Sequence, residues 1–227
     1  MTFFETLQQQ TQAERAGLLS APLIQRCLHH GQFDLSEYTA FLTEAFHHVR
    51  HTVPLLMAVG SRLPMEKEAF RTAIAEYIDE ELGHQEWILN DLAACGADAD
   101  AVRHGQPGAA TELMVAYAYD TVMRRNPMGF FGMVFVLEGT SISLATRAAD
   151  IIQQRLHLPD KAFSYLRSHG SLDQEHMLFF ETLMNRVEDA RDREDILHAA
   201  RRFFRLYGDI FRSIDAGAGS ASAQRAA

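Results

Sequence analysis

MGFFGMVFVLEGTSISLATRAADIIQQRL, residues 128–156, is the most apolar segment of the chain, and its apolar residues do not alternate as those of a half-buried strand would. Asn126-Pro127 turns the chain into it and His157-Leu158-Pro159 ends it, so the segment predicts one central buried helix. Within it, Glu138 follows directly on six bulky apolar residues out of seven. An unpaired carboxylate in such a helix would cost on the order of several kcal/mol. Compensation is open between a buried Arg, a hydrogen bond to Ser or Thr, a raised pKa and a metal cation.

Outward from this helix, apolar residues recur at helical spacing almost throughout the 227 residues, which predicts an all-α protein. Residues 2–18 and 20–30 read as two short amphipathic segments. A long helix is expected from Ser36 to Leu63, kinked or locally broken by Pro54. A second long helix is expected over residues 66–94, stopping at Gly96, and CGADADAVRHGQPGA then reads as a loop. Ala109 to about Arg125 predicts a third helix. Past the central segment, Asp160 can cap a short helix to about Ser168, and residues 171–190 and 192–214 supply the last two. Residues 1–215 then form one helical domain, with a tail over 216–227 whose small polar composition predicts disorder.

The net charge of −9, with Lys and Arg scattered along the chain, speaks against a nucleic-acid or anionic-membrane surface. A small-molecule partner fits better. The first residues lack the charged start and apolar core of a signal peptide, and no apolar run is read as membrane-spanning, so the cytoplasm is the expected location. Cys27 and Cys95 form neither a zinc cluster nor a disulfide framework, and are expected to pack.

Four helical segments carry carboxylate or imidazole groups beside apolar runs. Glu81 and His84 have Glu-x-x-His spacing, which on one helix places both groups on one face, as in di-iron carboxylate bundles; Glu80 is an alternative carboxylate. EAFHHVRHT supplies His47, His48 and His51. His47 and His51 share a face, whereas His48 is rotated by about 100° from His47. SHGSLDQEH supplies His169, Asp173 and His176 at spacings of four and three, although Ser171 and Gln174 could form a capping box that leaves His169 outside the helix. Mixed imidazole and carboxylate donors suit iron or manganese, and an open coordination position on such a site is the usual arrangement for activating dioxygen.

In this order, HHVRHT, EELGH, FVLEGTS and SHGSLDQEH resemble the heme-oxygenase-like di-iron oxidases and oxygenases, in the branch of iron-containing redox enzymes related to TenA and PqqC proteins; the likeness spans roughly residues 34–190. It implies a heme-oxygenase-like bundle of about seven helices and dioxygen activation at a non-heme iron pair, with one iron or manganese also open. Carried over residue by residue, it implies Glu81, His84, Glu138, Asp173 and His176 as metal ligands, with His169 as an additional histidine. Many relatives place a Glu on the first long helix, where this chain offers His47 or His48, with Glu44 one turn earlier; His47 is taken as the seventh candidate.

The expected reaction is oxidation of a small organic substrate by dioxygen, with an electron donor and a homodimeric assembly. Tyr77 and Tyr165 are candidates to hold the substrate or relay protons, and Phe130, Phe131, Met133, Phe135, Phe179 and Phe180 to line the pocket or fill the core. Other readings are a PqqC-like oxidase working without a metal, or a helical protein that binds a metal or cofactor without turnover. TenA-like thiaminases use a cysteine nucleophile, and neither cysteine sits in a polar cluster. Heme oxygenases need a histidine near the chain start, which His29 or His30 could mimic, but Glu138 stands where an open heme face is wanted.

Overall fold

The structure, a computed structural model, describes the backbone of residues 1–225 and the side chains of residues 1–168 and 177–214. The helices are α1 Phe3–Gln10, α2 Gln12–Leu19, α3 Pro22–His30, α4 Leu35–Val49, α5 Thr52–Arg62, α6 Glu68–Glu81, α7 His84–Ala94, α8 Ala99–His104, α9 Ala109–Arg124, α10 Phe130–Leu156, α11 Ser164–Met184 and α12 Ala190–Arg225. No strand occurs among the described residues.

The central helix lies where the sequence places it. Asn126 caps the turn that leads into α10 by accepting from the Met128 N–H, and His157 ends the helix in the left-handed conformation (φ 54°). Phe131 and Val136 are fully buried and Met133 nearly so, each contributing roughly 1.5–3 kcal/mol by leaving water. α10 packs along α11 and α12. Gly132 makes the approach to α12 possible, because a Cβ there would stand 2.6 Å from both the Ala200 nitrogen and the Ile196 oxygen. With the turn before it, α10 is long and apolar enough to cross a membrane, which corrects the reading that no run reaches that length, but 61% of its most apolar stretch is buried in the bundle. Its apolarity is that of a core helix.

Both predicted long helices are broken in two. The first ends at Val49 and restarts at Thr52. Pro54 explains the position: it has no N–H for the Arg50 carbonyl, and its ring crowds that same carbonyl. The second is interrupted at Leu82-Gly83, where Gly83 takes φ 91°, a conformation that disfavours any side chain. The expected loop after Gly96 contains the short helix α8. At the N-terminal end of the chain, the predicted segment 2–18 divides at Thr11 into α1 and α2.

α11 also departs from expectation. It is one helix from Ser164, preceded by a 3-10 turn at Asp160–Ala162, so no helix starts at Ser171 and the backbone is helical through Gly170. No local side chain caps it. Instead Asp91, on α7 and fully buried, accepts the backbone N–H groups of Ser164 (3.0 Å) and Tyr165 (2.9 Å) together with the Ser164 hydroxyl. Burial raises the Asp91 pKa, and these hydrogen bonds oppose the shift.

Candidate functional site

Where α4, α6, α10, α11 and α12 come together, a cavity of about 80 Å³ is lined by His48, Glu81 and Glu138 with Tyr77, Tyr165 and Tyr207. Apolar groups, among them Leu56, Phe130 and Met133, complete much of its wall. His48 is 3% exposed, and its ring meets that of Tyr207 edge to face with centroids 5.9 Å apart. Tyr77 and Tyr165 are also buried. Glu138 is half-buried, with its Oε2 shielded from solvent.

Glu81 and His84 meet, though not as expected. The pair straddles the Leu82-Gly83 break instead of sharing one helical face, and the break still brings His84 Nδ1 to 3.1 Å from Glu81 Oε2. The His84 ring, 3% exposed, lies over Trp87 at 4.0 Å. Asp79 and Glu80 point outward and are exposed, so of the acidic triplet only Glu81 lines the cavity.

On the first histidine cluster the structure separates the candidates. His48 lines the cavity. His47, the position preferred from the sequence, is buried beside Phe46 and is not among the lining residues, and burial lowers its pKa. Glu44 is engaged elsewhere, both its oxygens lying 3.1 Å from the Gly108 N–H that donates to them. His51 pairs through Nδ1 with the Tyr119 hydroxyl at 3.1 Å. The helix break after Val49 sends His51 onto another axis, which undoes the shared face of His47 and His51.

His169, Asp173 and His176 lie outside the residues whose side chains are described. On the unbroken α11 backbone their positions follow one another at four and three residues, the helical repeat of a single face. Of the apolar candidates, Phe130 and Met133 line the cavity. Phe135 and Phe180 stack on each other beside Phe4, and Phe131 packs on Phe70; these are core. Phe179 is 38% exposed and its ring touches Tyr77.

Sequence reasoning missed Tyr207 and Ser141 at the cavity, and a second, apolar chamber of about 80 Å³ that shares Ser141, Tyr165 and Tyr207 with it. The available signal was the period of Phe203, Phe204, Tyr207 and Ile210 along α12, in which Tyr207 places a hydroxyl on the buried face. Cys27 lines this apolar chamber, and burial pushes its thiol up to about 11, as it does for Cys95. Both are neutral thiols at pH 7, which does not suit a nucleophile. His29 and His30 are exposed at the end of α3.

Among the described residues no group of three His, Cys, Asp or Glu stands close enough to hold a metal ion by itself. The donor chemistry nevertheless fits iron: two carboxylates and an imidazole line one cavity, and a second imidazole touches Glu81. No Lys or Arg lines the cavity among the described residues.

No curated protein matches the chain. Solved structures do. A protein of unknown function with a heme oxygenase-like fold from Shewanella denitrificans superposes with a TM-score of 0.84 at 21% identity, covering 96% of this chain and 94% of that one. Heme oxygenase-1 from the cyanobacterium Synechocystis, solved with heme, gives 0.78 at 14% identity over 100% and 98%. A TenA homologue from Pseudomonas syringae gives 0.76 at 11% over 93% and 91%. These likenesses establish the all-α, heme-oxygenase-like fold, and the family model described as iron-containing redox enzyme matches residues 39–208. The chain belongs to that family of iron-containing redox enzymes.

Proposed function

We propose that the protein is a non-heme iron oxidase or oxygenase, with an iron pair bound by Glu81, His84, Glu138 and His48 from the described residues and by His169, Asp173 and His176 from α11. The observation that carries this reading is the convergence of Glu81, Glu138 and His48 on one largely apolar cavity, with His84 against Glu81. His48 takes the place first given to His47. Bound iron would supply the electrons and the open coordination position through which dioxygen oxidises a small organic substrate.

The chain's own groups prepare that chemistry. Glu81 and His84 hold each other side by side as neighbouring donors. Tyr207 fixes the plane of the His48 ring by edge-to-face contact. Tyr77 and Tyr165 line the cavity and are the groups that can bind the substrate or pass a proton at Oη. Leu56, Phe130 and Met133 exclude water, which strengthens every electrostatic interaction within. An electron donor is needed to keep the iron reduced, and a cytoplasmic homodimer is the expected form.

Oxygen uptake by the reduced, iron-loaded protein tests this reading. Uptake that stops on chelation and returns with iron supports it. Substrate oxidation that persists after chelation would replace it with a metal-free oxidase of the PqqC kind.

A further inference from the structure

The second chamber has a composition unlike that of the first. Leu23, Ile24, Leu144, Ala145, Ala148 and Ile152 form much of its wall, and no His, Lys, Arg, Asp or Glu lines it among the described residues. It adjoins the polar cavity at Ser141, Tyr165 and Tyr207, the three residues common to both linings. All three carry hydroxyls. The apolar chamber therefore favours carbon, the shared boundary carries hydroxyl side chains, and the adjoining cavity holds Glu81, Glu138 and His48.

Resting on the reading of the polar cavity as the iron site, we infer that the apolar chamber binds the body of the substrate, a small molecule with an apolar end and one polar group. The polar group lies at the hydroxyl junction, facing the carboxylates. Each chamber measures about 80 Å³. A dry apolar cavity of about 150 Å³ accepts benzene, so a chamber about half that size takes on the order of three carbon atoms. Heme would need far more room than this. An ionised group against that wall is disfavoured, because no charged side chain lines it among the described residues.

Binding of 1-alkanols from about two to about ten carbons, followed calorimetrically on metal-free and iron-loaded protein, tests the inference. Affinity should rise about fourfold per added methylene until the chamber is full, and then stop rising. The α,ω-diol of the best chain length should bind at least about tenfold more weakly, since its second hydroxyl enters the apolar wall. Ile152→Ala should move the cut-off to chains longer by about two carbons, and Ala148→Leu should shorten it. Affinity independent of chain length would overturn the inference, as would a cut-off unmoved by Ile152→Ala in a variant that keeps its helical circular dichroism. Stoichiometric uptake of hemin with a Soret band would overturn it too. Iron content measured on the same samples separates the two claims: alkanol binding without iron leaves the chamber standing and removes the iron site, whereas iron without alkanol binding does the reverse.

Discussion

Replacing Asp91 by Ala should damage the protein through α11, although Asp91 is no candidate ligand. Its carboxylate stands in for the missing local cap of α11, accepting two backbone N–H groups and one hydroxyl from Ser164 and Tyr165 in a fully buried setting. The loss of a helix cap is typically worth about 1 kcal/mol and the stranding of a buried donor about 1–3 kcal/mol, partly offset here by relief of the carboxylate's own desolvation, so a net cost of about 2–4 kcal/mol is expected. For a chain of this size that lowers the melting temperature by about 5–15 °C. Thermal unfolding followed at the helical circular-dichroism band measures it. Ser164→Ala combined with Asp91→Ala should cost about 1 kcal/mol less than the two single changes added together. Because α7 also begins at His84, the same variant should loosen iron binding. A loss of stability under about 0.5 kcal/mol, the size of an ordinary surface substitution, would refute the capping argument.

Other consequences separate neighbouring residues. His48→Ala should lower iron affinity by about tenfold or more, in the range seen when groups supporting a metal site are lost, whereas His47→Ala should leave it unchanged; titration with ferrous iron under anaerobic conditions reads both, and the opposite pattern would restore His47 as the ligand. Gly132→Ala should destabilise by at least about 2 kcal/mol, because the added methyl meets α12 backbone instead of a flexible side chain, and denaturant unfolding would show whether it does. Burial lowers the pKa of His51 and His198 below the ordinary 6.5, with Arg50 acting the same way on His51 and Arg125 and Arg202 on His198. Their contribution to stability is therefore complete above about pH 6.5 and is lost as the pH falls through the folded-state values. Unfolding free energies at pH 7.5 and 5.5 should differ less in a His51→Gln, His198→Gln variant than in the wild type.

The helical class and the central helix were legible because periodicity and boundary signals agree over residues 126–159. Breaks were harder to place. Pro54 announced one, which falls four residues earlier because the disrupted hydrogen bond belongs to the Arg50 carbonyl. Gly83 lies inside a strongly helical pattern and gave little warning. At the site, Glu138 stood out because a carboxylate beside apolar bulk needs compensation, and Glu81 with His84 came together despite the break between them. Choosing between His47 and His48 required knowing which face of α4 meets α12, a tertiary fact. The apolar chamber left no local signature, since its wall is assembled from residues of α3 and α10 with others from α4, α11 and α12 that on each helix alone read as core.

Iron per chain, counted after anaerobic reconstitution and removal of loosely bound metal, decides whether the cavity is a metal site. One to two tightly held irons are expected in the wild type, with loss of at least one in Glu81→Ala, in Glu138→Ala and in Asp173→Ala, each retaining its helical content. Wild-type protein that holds no iron, or variants that hold as much as the wild type, would contradict that expectation.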